Sequence, residues 1–350
     1  MRLLVTGGAG FIGSAVVRHC LGKGLASIGV LDAMTYAASP RTLAPFGGRA
    51  DFVLYERNIC APLSVRTALR EFEPDAIMHL AAESHVDRSI DKPAAFVQTN
   101  VVGTQVMLDE ALAYWRSLSD IRRARFRFHH ISTDEVFGSL GDSDYFHENT
   151  RYDPRSPYSA SKAASDHLVR AWHHTFGLPV VLTNCTNNYG PYQFPEKLVP
   201  LMILRGLSGQ PMPVYGDGQN VRDWLFVDDH AEALWTVLTL GKVGDTYAIG
   251  GMAERRNLDV VNTLASHLDE LAPCSTSRKD LIQFVPDRPG HDRRYAMDCG
   301  KIRRELGWSP KRSFEDGLRE TVRWYLDHRD WWEPLVHKTY RLERLGGGVA

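Results

Sequence analysis

The chain has 350 residues, 43% of them hydrophobic and 24% charged, with a formal net charge of −1. This is the composition of a globular protein with a sizeable core, and the length allows two domains or one large one. The near-zero charge removes the electrostatic case for nucleic acid or a membrane surface as partner, and no apolar run approaches the roughly 20 residues that span a bilayer.

Residues 2–7 read as a strand and 11–24 as a helix, joined by "VTGGAGFIGS". That run holds GxxGxxG (Gly7, Gly10, Gly13) and GxGxxG (Gly8, Gly10, Gly13). Glycine makes such a turn tight and lets backbone N–H groups approach a pyrophosphate at a helix N-terminus. A second strand, 27–32, closes on Asp32, 19 residues after Gly13. A carboxylate there suits an adenosine ribose diol and repels a 2′-phosphate. No arginine follows in "DAMTYAA", so NAD fits better than NADP.

Residues 50–59 read as a third strand, 63–72 as a helix, 76–82 as a strand, 98–115 as a long helix and 127–133 as a fifth strand. This alternation predicts an α/β fold with a parallel sheet covered by helices. The arginine-rich 116–128 is interrupted by acidic and apolar residues and reads as a solvated helix end and loop. "STDEVFG" (132–138) then falls at the carboxyl end of the fifth strand, where open α/β sheets bind ligands. Alone, its Thr-Asp-Glu also suits a helix N-cap with first-turn acids.

"SPYSASKAASDHLVRAW" (156–172) predicts a helix that places Tyr158 and Lys162 on one face. A free tyrosine, with a pKa of about 10, is a poor base at neutral pH. A nearby lysine ammonium and a cationic nicotinamide would favour the phenolate. In the second half, 187–200 and 285–298 read as long ordered loops around a cleft. Residues 230–241 and 245–251 return a helix and a strand to the sheet, and 313–332 is a late amphipathic helix. His79, His129 and His130 lie in apolar strand contexts and read as core. Trp235, Trp308, Trp324, Trp331 and Trp332 read as packing. Five scattered cysteines without CxxC spacing, and a start lacking a signal-peptide pattern, fit a cytoplasmic protein with reduced thiols and no metal cluster.

Together "TGGAGFIG", "HLAAESHVDRS" (79–89), "STDEVFG", "YSASK" and "NNYGPYQFPEKLVP" (187–200) resemble the extended short-chain dehydrogenase/reductase family, and within it the dTDP-glucose 4,6-dehydratases. The likeness runs from "MRLLVTGG" to "YRLERLG" (340–346). It implies a Rossmann-type doubly wound parallel sheet over 1–188 with 228–252 returning to it. A smaller mixed α/β substrate-binding domain is implied over 189–227 and 253–345. It implies NAD as cofactor, a nucleotide-sugar substrate, and a homodimer pairing the helices near 98–115 and 158–175.

The resemblance also assigns roles. Tyr158, with Lys162 and Thr133, takes the C4 hydroxyl proton as hydride leaves. Glu135 removes the C5 proton and Asp134 protonates the departing C6 hydroxyl. Hydride then returns to C6. Gly7, Gly10, Phe11, Ile12, Gly13, Asp32, Thr35, Asn58, Ile59, Leu80, Ala81, Ala82, Ser84, Thr99, Tyr158, Lys162 and Asn188 surround the cofactor by this likeness. Ser84, Thr133, Asn187, Glu196, Lys197, Leu198, Pro213, Tyr215, Arg222, Asn257, Arg288 and His291 match nucleotide-sugar positions, and arginine suits a diphosphate. Asn58 stands where relatives carry Asp, and Asn184 where many carry Arg. Related epimerases share the glycine loop and YxxxK but carry other residues at Asp134–Glu135. A dehydratase of a UDP- or CDP-sugar, or a 4-epimerase, is the alternative.

Overall fold

Continuous apolar runs build the first four strands, β1 (Arg2–Thr6), β2 (Ser27–Asp32), β3 (Phe52–Glu56) and β4 (Ala76–His79). β5 (Arg127–Thr133) and β6 (Val180–Cys185) follow. The chain then leaves the sheet through β7 (Asn187–Tyr189), β8 (Met212–Tyr215) and β9 (Val221–Phe226), and returns as β10 (Thr246–Ile249). The seven-stranded sheet runs β3-β2-β1-β4-β5-β6-β10, parallel throughout. β1, β4 and β6 are almost wholly buried, as strands covered on both faces must be. The structure is a computed structural model and describes residues 1–287 and 289–338.

Helices Phe11–Gly22, Val227–Leu240 and Gly300–Leu306 cover one face, around Val16, Leu234 and Ile302. Helices Pro62–Phe72, Gly103–Ser117 and Pro157–Phe176 cover the other, around Leu69, Leu108 and Val169. The chain order reverses between β1 and β4, so the carboxyl ends of β1, β2, β4 and β5 open onto a switch point. A second core, around Ile203, Leu264 and Leu318, belongs to the smaller unit. That unit holds a three-stranded sheet in which β9 pairs with β7 and with β11 (Glu254–Arg256), and a pairing of β8 with β12 (Ile282–Val285). Among the described residues no helix is long and apolar enough to cross a membrane.

Four expected elements differ, the first being the loop expected over 187–200, which holds β7 and the start of helix Leu198–Leu207. The helix expected over 98–115 opens as a π-helical turn, Val97–Val102, before Gly103–Ser117. That turn brings Asn100 under the segment after β4: its side chain bonds both N–H and C=O of Glu83 (2.8 and 3.0 Å). The helix expected over 313–332 breaks at His328 into Phe314–Asp327 and Arg329–Lys338. His328 donates its Nδ1–H to the Trp324 carbonyl and stacks on the Trp324 ring, which ends the first helix. Residues 116–128 contain a short helix, Asp120–Arg125. His79, His129 and His130 are buried, with pKa values pushed down by desolvation, the last two to about 3 and about 4. Trp308, Trp331 and Trp332 are buried in packing roles.

Candidate active site

The glycine turn is held by steric necessity. Gly7 is left-handed (φ 70°), and a Cβ there would lie 2.7 Å from the Ala81 nitrogen. A Cβ on Gly13 would lie 2.1 Å from the Gly7 carbonyl oxygen. At the end of β2, Asp32 accepts N–H from Ala9 through Oδ2 (2.9 Å) and from Met34 through Oδ1 (2.8 Å). Burial raises its pKa, and these two hydrogen bonds oppose the rise. A cleft of about 330 Å³ opens over this turn. Every residue expected around the cofactor lines it: the three glycines, Phe11, Ile12, Asp32, Thr35, Asn58, Ile59, Leu80, Ala81, Ala82, Ser84, Thr99, Tyr158, Lys162 and Asn188. A glycine cradle at a helix start, an acid at the next strand end and apolar walls fit a dinucleotide. Asn58 Oδ1 accepts the Cys60 N–H (2.8 Å), so it also closes its own turn.

β5 delivers Thr133 to a single 3₁₀ turn, Asp134–Phe137. Thr133 Oγ1 accepts the Glu135 N–H (3.3 Å) and donates to Asp134 Oδ1 (3.2 Å). The expected cap and the expected carboxylate pair are therefore the same structure. Asp134 is buried, and its Oδ2 has no hydrogen-bond partner among the described residues. Burial first, and the neighbouring Glu135 charge second, hold the Asp134 carboxyl well above its usual range. Its surroundings therefore favour the protonated form.

Helix Pro157–Phe176 starts on a capping box in which Ser156 and Ser159 bond each other's backbone, with Pro157 at its first turn. Tyr158 and Lys162 are both buried on its inner face. Lys162 lies one helical turn from Tyr158 on that face. Lys162 Nζ donates to the Ile131 carbonyl (2.8 Å), and burial lowers its pKa. Tyr158 is itself held well above its usual range, by burial first and then by Glu135 and Cys185. Burial and these two neighbours therefore favour the phenol over the phenolate, and a cationic nicotinamide would act the other way.

A second cavity of about 200 Å³ adjoins the first and shares Ser84, Glu135, Asn187, Glu196 and Lys197 with it. It is also lined by Leu198, Pro213, Tyr215, Arg222, Asn257 and His291, so every described residue expected to meet the substrate is in one cavity or the other. Arg288, expected at the diphosphate, lies outside the described residues. Arg222 is buried, donates to the Val221 and Asp292 carbonyls, and lies 4.2 Å over the Tyr295 ring. Lys197 donates to the Ser84 carbonyl (2.9 Å), and Glu196 pairs with Arg88 (2.7 Å). His85, Asp87, Met202, Arg205 and Val261 also line this cavity, unread from sequence. His85 and Asp87 fall inside "HLAAESHVDRS", whereas Met202, Arg205 and Val261 carry no motif and only the fold brings them to the cavity. Asn184 donates to the Thr133 carbonyl (3.0 Å), which gives this departure a positional use.

The profile of the family described as GDP-mannose 4,6 dehydratase matches residues 4–321. A dTDP-glucose 4,6-dehydratase of Neisseria meningitidis serogroup B is 55% identical over 352 residues, covering 99% of each chain. The crystal structure of DesIV, a dTDP-glucose 4,6-dehydratase from Streptomyces venezuelae with NAD bound, has a TM-score of 0.87 and 46% identity. It covers 96% of this chain and 100% of that one. A Thermus thermophilus UDP-glucose 4-epimerase complexed with NAD shares the fold at a TM-score of 0.82, but only 29% identity over 94% of this chain and 100% of that one. The chain belongs to the nucleotide-sugar 4,6-dehydratase family that the profile describes, and within it to the dTDP-glucose 4,6-dehydratases.

Proposed function

We propose that this protein is an NAD-dependent hydro-lyase that converts dTDP-glucose to dTDP-4-keto-6-deoxyglucose, working as a cytoplasmic homodimer. The observation that carries the reading is the Asp134–Glu135 pair: adjacent carboxyls of which Glu135 lines both cavities and Asp134 the larger, with Asp134 buried and its protonated form favoured. The names of the close relatives agree with it. Free cysteines agree with a reducing compartment.

NAD would be held by the glycine turn, Asp32 and the walls of the larger cleft, and when bound would supply a reversible hydride acceptor. Tyr158 takes the proton of the C4 hydroxyl, and Thr133 orients that oxygen. Thr133 has one hydroxyl proton, so it serves Asp134 or the sugar at any one time. The 4-ketone acidifies C5, and Glu135 removes that proton as base. Asp134 gives its proton to the C6 oxygen, which leaves as water. Glu135 returns a proton to C5. Arg222 and Lys197 hold the diphosphate side of the substrate, and the partition of roles follows from the unequal burial of the two carboxyls.

The test is to incubate purified protein with dTDP-, UDP- and CDP-glucose in parallel and assay for a 4-keto-6-deoxy sugar. Product from dTDP-glucose is expected, without added NAD if the protein retains it. Product only from another nucleotide would keep the chemistry and move the substrate. No product from any, with NAD supplied, would sink the reading.

A further inference from the structure

We propose that Asp166 is a positioning residue: its buried carboxylate is the counter-charge of Lys162 and the anchor of the strand end that carries Thr133, Asp134 and Glu135. The inference rests on the dehydratase reading, in which Lys162 supports Tyr158. No step of that reaction uses Asp166.

Tyr158, Lys162 and Asp166 are spaced by four, so they share one face of helix Pro157–Phe176. Asp166 has 0% exposure, and three side chains reach its carboxylate. Ser132 Oγ donates to it at 2.7 Å and Tyr152 OH at 2.8 Å. His130 Nε2 lies 3.0 Å from Oδ1, and as a neutral ring it donates that N–H. Two further bonds complete the strand end: Lys162 Nζ to the Ile131 carbonyl and Asn184 Nδ2 to the Thr133 carbonyl. Residues 130–133 are thus each tied by a side chain of the network in the four positions before the carboxylate pair.

A carboxylate receiving three donors stays ionised even when buried, and Asp166 is held below its usual range. A fully buried ammonium tends to lose its proton unless an anion is near. Burial lowers the Lys162 pKa, and Asp166 is the largest influence that raises it, followed by Cys185 of β6. The other groups facing this patch do not replace it. His79 and His130, on β4 and β5, are pushed to neutrality and, where charged, would oppose Lys162. Arg170, on the same helix, donates to Tyr152 OH and lies 5.2 Å over the Tyr152 ring. Asp134 and Glu135 face Tyr158, where negative charge opposes the phenolate.

The test uses the full-length enzyme and two readouts. The first is the pH dependence of single-turnover C4 oxidation for wild type and Asp166→Asn. With Asp166 neutral, Lys162 sheds its proton more easily, Tyr158 loses support, and the acidic limb moves to higher pH. A move of about one pH unit is expected, with roughly ten-fold slower oxidation at neutral pH and KM within about two-fold. A purely structural role would lower the rate without moving the limb, and an unmoved limb in folded protein overturns the proposal. If Asp166→Asn does not fold, Ser132→Ala/Tyr152→Phe keeps the carboxyl and removes two of its donors. A smaller upward move then supports the proposal, and none overturns it. The second readout is a double-mutant cycle of Asp166→Asn and Lys162→Met in urea unfolding, which needs no turnover. Coupling, with the double variant more stable than the sum of the singles predicts, supports the pairing. Additivity overturns it, whether or not the wild type proves to be a dehydratase.

Discussion

At the scale of single residues, the site keeps a carboxyl where stability would prefer a neutral group. Asp134 is buried, its Oδ2 meets no donor among the described residues, and its pKa is raised well above the ordinary 3.8 by burial and Glu135. In the unfolded chain the group ionises near 3.8, while in the fold it holds its proton to higher pH. Folding therefore takes up a proton in that window, and the contribution of Asp134 to stability falls as pH rises through it. Asp134→Asn removes the ionisation. It is expected to be more stable than wild type by about 1 kcal/mol at pH 8, with the difference closing toward pH 4. Dehydration should fall by roughly 10²- to 10⁴-fold while the C4 hydrogen is still removed. Urea unfolding across pH checks the first claim and single-turnover absorbance the second; a variant less stable than wild type at pH 8 would refute the account. Spacing made the pair visible in the sequence. Which member holds the proton was not visible, because that depends on burial.

At the scale of elements, the site is set by where a strand stops and where a helix starts. The Pro157–Phe176 helix begins one residue before Tyr158, on the reciprocal Ser156–Ser159 cap. Ser156→Ala removes one half of that box and is expected to cost about 1 kcal/mol in urea unfolding. Because Tyr158 sits in the same turn, C4 oxidation should slow several-fold while substrate KM stays close to wild type. Unchanged oxidation in a destabilised variant would show that Tyr158 is placed by packing, against Phe96 for example, and not by the cap. The regular half of the molecule was legible because each strand is an apolar run and each helix follows a turn signal. β9 and helix Asn257–Leu271 were not read, for a physical reason. β9 carries Arg222, Asp223 and Trp224 buried among site groups, so its pattern does not look like a core strand. The π-helical turn before Gly103–Ser117 was equally hidden, since its cause is a contact between Asn100 and Glu83, 17 residues apart.

At the scale of the whole molecule, the two units interleave: the chain leaves the sheet after β6, builds part of the second core, and returns as β10. This order brings Glu196 and Lys197 against the segment after β4, so both cavities depend on both units. The proposed homodimer would need one face for a second copy. Helices Gly103–Ser117 and Pro157–Phe176 pack side by side on the sheet. Their outer stripes follow the helical repeat: Gln105, Asp109 and Ala113 on one, Ala160, His167 and Ala171 on the other, all exposed, with the half-buried Ala164 between Ala160 and His167. Alanines on such a stripe let helices approach closely, and pairing about a two-fold axis would make a four-helix bundle. Ala171→Arg tests the arrangement. Arginine is a good helix former, so the monomer fold should be untouched. In a two-fold interface the substitution acts twice, and each unpaired buried charge opposes association by about 3 kcal/mol or more. Light scattering at micromolar concentration should then show wild type as a dimer and Ala171→Arg as a monomer. The same helix carries Tyr158 and Lys162, so the monomer should also unfold at lower temperature and turn over more slowly. A variant that stays dimeric would move the interface to another face, and a monomeric wild type would remove it.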